Sequence, residues 1–89
     1  MNALHVRVYG QVQSVGFRNW IKNNADSKKL TGWVRNASDG SVEIFLQGNE
    51  ELVNQLLALC WEGPDIAEVD DVLTQDTNYD ESILSFEIH

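Results

Sequence analysis

Arg18 is an awkward residue for its position. It follows the stretch GQVQSVGF, Gly10–Phe17, and opens a segment with helical apolar spacing: Phe17, Trp20, Ile21 and Ala25. The positive end of a helix dipole disfavours a cation in the first turn. An anion bound at the same spot reverses that balance, because a guanidinium grips two phosphate oxygens in its planar fork. The loop adds donors of its own. A chain running from a strand into a helix presents successive backbone N–H groups, and these, with the helix end, form an anion site. Gly10 and Gly16 are read as letting the chain turn tightly there. A solvated surface arginine on an ordinary loop fits the same spacing, and on spacing alone the two readings stand level.

The other chemistry-bearing residues are less pointed. Asn36 closes an apolar run before a turn, and by propensity it is a turn residue. Cys60, the single cysteine, falls in the apolar stripe of a predicted helix and reads as a packing residue. His5 and His89 have no further His or Cys in ligand-like spacing, so no metal site is expected. Asp39, Asp65, Glu68, Asp70 and Asp71 lack calcium-loop spacing and read as solvated charge. Trp20, Trp33 and Trp61 each sit in an apolar pattern, which favours core or rim packing over a stacking platform for single strands.

These residues need a scaffold. Leu4, Val6 and Val8 alternate with His5, Arg7 and Tyr9 as in a half-buried strand. A helix is expected from about Phe17 to Lys28, with Lys28 and Lys29 in its last turn, where cations suit the dipole. LTGWVRN, residues 30–36, reads as a second strand and ASDGS, residues 37–41, as a turn, with Asp39-Gly40 a strong hairpin signal. Val42, Ile44 and Leu46 alternate with Ser41, Glu43, Phe45 and Gln47 in a third strand. Asn49 is a good N-cap, with Glu50 and Glu51 in the first turn. Leu52, Val53, Leu56, Leu57, Cys60 and Trp61 share one face of the helix that follows, and Gly63-Pro64 stops it. DIAEVDDVLTQ, residues 65–75, reads as a fourth, edge-like strand, DTNYDES as a turn-rich connector, and Leu84, Phe86 and Ile88 as a short final strand.

The order strand, helix, strand, strand, helix, strand, with one strand appended, is the split βαβ pattern. The fold class is therefore α+β and ferredoxin-like: a mainly antiparallel sheet of four to five strands with two helices on one face. At 89 residues, one domain spanning 1–89 is the natural reading. Hydrophobic residues make up 43% of the chain, too high for disorder. The formal net charge of -8, from 14 acidic and 6 basic residues, argues against duplex binding and leaves room for a small anion at a local basic spot. No apolar run approaches the ~20 residues of a membrane-spanning helix. The start, MNALHVRVYG, lacks the pattern of a signal peptide. The lone cysteine fits a reducing cytoplasm, and without a signal peptide the Asn36–Ser38 sequon reads as chance.

Two stretches carry a family resemblance. GQVQSVGFR resembles the acylphosphatase signature, in which a glycine, Val-Gln, Gly-Val and Phe-Arg recur at these intervals. GWVRNASDGSVEIFLQG, Gly32–Gly48, is similar to that family's second signature: an aromatic residue after Gly, a basic residue followed by Asn, and Gly-x-Val before a closing Gly. Gly63-Pro64 and the terminal Phe86–Ile88 fit as well, so the resemblance covers essentially the whole chain. It implies the ferredoxin-like fold and hydrolysis of acyl phosphates, such as carbamoyl phosphate or 1,3-bisphosphoglycerate, to a carboxylate and phosphate, without metal or cofactor. It puts the catalytic arginine at Arg18 and the catalytic asparagine at Asn36. The phosphate-cradling segment falls on Gln13, Ser14, Val15, Gly16, Phe17 and Arg18, acting mainly through backbone N–H groups. One departure is Ser14, where the family has a glycine. The partners this implies are small acyl phosphates and inorganic phosphate, with no nucleic acid and no membrane, for a cytoplasmic monomer. The alternative is a binding module on the same fold that kept the anion cradle and lost turnover. Hydrolysis of benzoyl phosphate separates the two.

Overall fold

Apolar side chains at every second position bury one face of β1, Asn2–Gln11, in the computed structural model, which describes residues 1–89. The chain continues through α1, Phe17–Ser27, β2, Thr31–Asn36, β3, Val42–Gly48, α2, Glu50–Cys60, β4, Glu68–Asp76, and β5, Phe86–Ile88. The strands form one sheet in the order β4-β1-β3-β2-β5. Three pairings are antiparallel, and β5 lies parallel to β2, so the sheet is mixed rather than purely antiparallel. Both helices bury their apolar stripes against one face, giving the expected ferredoxin-like α+β fold. Leu4, Val6 and Val8 of β1, Ile44 of β3, Ile21 of α1 and Leu56 of α2 belong to one buried cluster. No helix is long and apolar enough to cross a membrane.

The ends of the elements carry the differences from the sequence reading. α1 stops at Ser27, so neither lysine lies in its last turn. Lys28 is the C-cap, and Lys29, at φ 56, takes the left-handed turn that leads into β2. α2 starts as expected, with the Asn49 side chain accepting a hydrogen bond from the Leu52 amide at 3.2 Å. It ends before Trp61, which is 51% exposed and contributes nothing to the core. Trp20 is half-buried and packs on Phe17, with ring centroids 5.3 Å apart. Trp33 lies on the open face of the sheet, stacked against His89 at 5.5 Å.

A second layer covers part of the open face. The alternation in β3 leaves Phe45 and Gln47 facing away from the helices, yet both are buried. Phe45 is enclosed by the rings of His5 and Trp33. Gln47 is pinned under the connector that precedes β5. Its Nε2 donates to Thr31 Oγ1 at 3.0 Å and to the Asp80 carbonyl at 2.8 Å, and its Oε1 accepts from the Asp80 amide at 2.8 Å. Leu84, expected to continue the alternation of the last strand, precedes it and is 85% exposed.

Candidate active site

β1 delivers the loop that carries the unusual arginine. Gly10 does not make a tight turn. It lies inside β1 at a register shift against β4, at φ 129, where an added Cβ would meet the Glu68 carbonyl oxygen at 2.1 Å. The glycine is there because two backbones touch. The turn comes later. Val12 is buried in the core and anchors the loop, and Val15 packs partly against the same cluster. Between them Ser14 stands exposed at φ 63, in the left-handed region. Gly16 at φ 79 is the N-cap of α1, in open space, so only its backbone angle calls for glycine.

This path frees the backbone. No N–H from Gln13 to Asn19 donates to another group of the chain. The first helical amide to find a partner is that of Trp20, which reaches the Gly16 carbonyl at 3.0 Å. A glycine N-cap offers no side-chain acceptor, and the first turn of α1 holds no acidic residue. A run of unpaired amides around a helix N-terminus is a concave positive site.

Ser14, Gly16, Phe17, Arg18 and Asn36 line one depression of about 160 Å³. Gln13 and Val15 do not face it. Gln13 turns its side chain toward the β2–β3 hairpin, and Val15 turns inward. Val12, Asn19 and Ile88 complete the wall, and none of them was singled out from sequence. Val12 is a buried loop residue and Asn19 lies in the first turn of α1. Ile88 comes from the far end of the chain. It pairs with Val34, and the His89 amide donates to the Val34 carbonyl at 2.8 Å, which carries β5 along the end of β2.

The polar side chains on this wall, Ser14, Arg18, Asn19 and Asn36, are uncommitted. Arg7, Arg35 and Lys22 each sit within 4 Å of a carboxylate. Arg18 has none and makes no side-chain hydrogen bond within the chain, although 14 residues are acidic. Asn36 is fixed through its backbone in register with Val42, while its amide group bonds to nothing in the chain. A larger hollow of about 670 Å³ lies along α2, but Glu50 and Glu51 line it and no cation does. Another, of about 530 Å³, lies on the open sheet face with Arg7 and Glu43 already paired in it. For an anion, free donors matter more than room.

Two other titratable groups have structural work. Asp39 Oδ1 accepts from the Ser41 amide at 3.0 Å and from its hydroxyl at 2.5 Å, so this carboxylate closes the hairpin rather than simply being solvated. Those hydrogen bonds hold its carboxyl below the usual value, helped by Arg7. Cys60 is buried, and burial pushes its thiol up to about 12, far from thiolate chemistry at neutral pH. No three His, Cys, Asp or Glu side chains converge as a cation would need.

The family model for acylphosphatase matches residues 4–88. An acylphosphatase of Alcanivorax borkumensis is 43% identical over 81 residues, covering 91% of this chain and 88% of that relative. Among solved structures, the acylphosphatase of Bacillus subtilis superposes with a TM-score of 0.95 at 34% identity, covering 100% of this chain and 99% of the other. One from Coxiella burnetii gives 0.91 at 36% identity, covering 99% and 92%.

Proposed function

The chain belongs to the acylphosphatase family and hydrolyses acyl phosphates to a carboxylate and inorganic phosphate, and on that premise we propose that Arg18 and the 13–18 loop hold the phosphoryl group while Asn36 orients the attacking water. One observation carries this reading. Arg18, whose guanidinium is free, Asn36, whose amide is free, and Ser14, Gly16 and Phe17, whose backbone N–H groups are unpaired, line the same 160 Å³ depression. The loop amides and the Arg18 fork stabilise charge on the equatorial phosphoryl oxygens. Asn36 both donates and accepts, so it holds a water in line with the scissile P–O bond. The water oxygen bonds to phosphorus as the bond to the acyl oxygen breaks. The carboxylate leaves with the electron pair, and the water's proton passes to a phosphoryl oxygen. A carboxylate is a good leaving group, so no side chain needs to protonate it. No metal or cofactor enters this scheme.

Residues 1–89 act as one domain in this proposal, as a monomer in the cytoplasm. A formal net charge of -8 disfavours partners built on a phosphate backbone or an anionic lipid surface. The family assignment does not favour the alternative, a phosphate-binding module without turnover. Arg18→Ala is the direct test, with benzoyl phosphate as substrate and inorganic phosphate as inhibitor. Turnover should fall by at least ~10²–10³-fold, the usual effect of losing a preorganised charge stabiliser, and phosphate inhibition should weaken with it. Arg18→Lys should not restore activity, because a point charge does not reproduce the fork. Near-normal turnover in Arg18→Lys would refute the bidentate role.

A further inference from the structure

The side chain of Gln13 leaves the loop and crosses to the hairpin between β2 and β3. Its Nε2 donates to the carbonyl of Ala37 at 2.8 Å and to the carbonyl of Ser41 at 2.9 Å. Both partners only accept, so the NH₂ end of the amide must face them and both of its hydrogens are used. The same two carbonyls already close the turn. The Ala37 amide donates to the Ser41 carbonyl at 2.9 Å, and the Gly40 amide to the Ala37 carbonyl at 3.2 Å. Gln13 thus grips the rim of a finished turn. No other hydrogen bond joins residues 12–16 to residues 37–41. One end of this link adjoins Ser14 in the anion loop, and the other adjoins Asn36.

We infer that Gln13 is a positioning residue that sets Asn36 at its working distance from the phosphate loop. This inference rests on the assignment of the water to Asn36. The loop's own shape does not depend on Gln13, since Val12, Val15 and Gly16 fix it from the core side and from the start of α1. Loss of the link therefore lets Asn36 drift while the phosphate cradle survives. The effect is on kcat, and anion affinity is spared.

The test is a double-mutant cycle on the full chain with benzoyl phosphate and inorganic phosphate: Gln13→Met, Asn36→Ala and the pair. Gln13→Met keeps length and loses both donors. Its kcat should fall about tenfold, equivalent to ~1.4 kcal/mol of barrier, with phosphate inhibition changed by less than about twofold. In the Asn36→Ala background, where kcat is already low, Gln13→Met should lower kcat by no more than about twofold further, because the two act as a unit. Fully additive losses, or a Gln13→Met variant that weakens phosphate as much as it slows turnover, would overturn the positioning role. If Asn36→Ala alone keeps normal kcat, the water assignment falls and this inference falls with it. An impaired Asn36→Ala beside an unimpaired Gln13→Met sinks the inference and leaves the assignment standing. Should Gln13→Met not fold, Gln13→Leu, which likewise loses both donors and adds no charge beside the anion, should show the same split.

Discussion

Ser14 holds φ 63 in the middle of the anion loop, where an L-residue costs about 1–2 kcal/mol relative to a relaxed backbone. Its exposed side chain has no hydrogen-bond partner in the chain, so the hydroxyl offsets none of that cost. Ser14→Gly removes the strain but adds the ~0.5–1 kcal/mol that glycine loses in backbone entropy on folding. The two nearly cancel. The melting temperature should rise slightly or not at all, and kcat should change by less than about tenfold. A much larger gain in kcat, with both proteins folded, would mean that the serine crowds the phosphate. At this scale sequence was informative where a residue broke a local rule. A cation at a helix N-terminus and a serine in a glycine position are both visible without coordinates. Asn19 and Ile88 break no rule, and the second contact of Gln13 is a matter of direction that spacing does not encode.

The elements were legible in kind and less so at their ends. Periods of two marked β1 and β3, and helical spacing marked α1 and α2, because one face of each is buried in a common core. Boundaries slipped where backbone conformation, not burial, decided them: Lys28 and Lys29 turn the chain out of α1, and Leu84 misses β5. The burial of Phe45 and Gln47 does not show in the alternation of β3, because their cover comes from Trp33, His5 and the connector around Asp80, all remote in sequence. Gly10 and Gly16 show the same limit. Both read as turn glycines, but only Gly10 is hemmed in by another strand. Gly10→Ala should therefore destabilise the fold by about 2–4 kcal/mol, since β1 and β4 must part to admit the methyl group. Gly16→Ala should cost only the ~1–2 kcal/mol of a left-handed residue. Urea titrations of the two variants side by side check the order. Equal losses would mean that the bulge yields without cost.

The whole molecule carries a surplus of acid, and two of its carboxylates set how it meets low pH. Asp39 is bonded by Ser41, and Asp80 by the amide and hydroxyl of Ser82 at 2.9 and 2.6 Å. These bonds hold both carboxyls below the ordinary value of 3.8. The unfolded chain binds those protons more readily than the folded one, so the stabilisation is complete above about pH 4 and fades as pH falls through the folded-state values. The melting temperature should decline from about pH 4 to pH 2, and Asp39→Asn with Asp80→Asn should decline less steeply over the same range. An identical slope in the double variant would assign the acid sensitivity to other groups.

The parallel pairing of β5 with β2 also governs when the site comes into being. Arg18 is made early in synthesis and Asn36 soon after, yet the wall they share is finished by Ile88. β5 spans only three residues and has its register fixed by a strand far back in the chain. Such remote pairing is entropically slow, because a long loop must close before any contact rewards it. The loop and hairpin supply the donors, and the wall around them is complete only with the last strand in place.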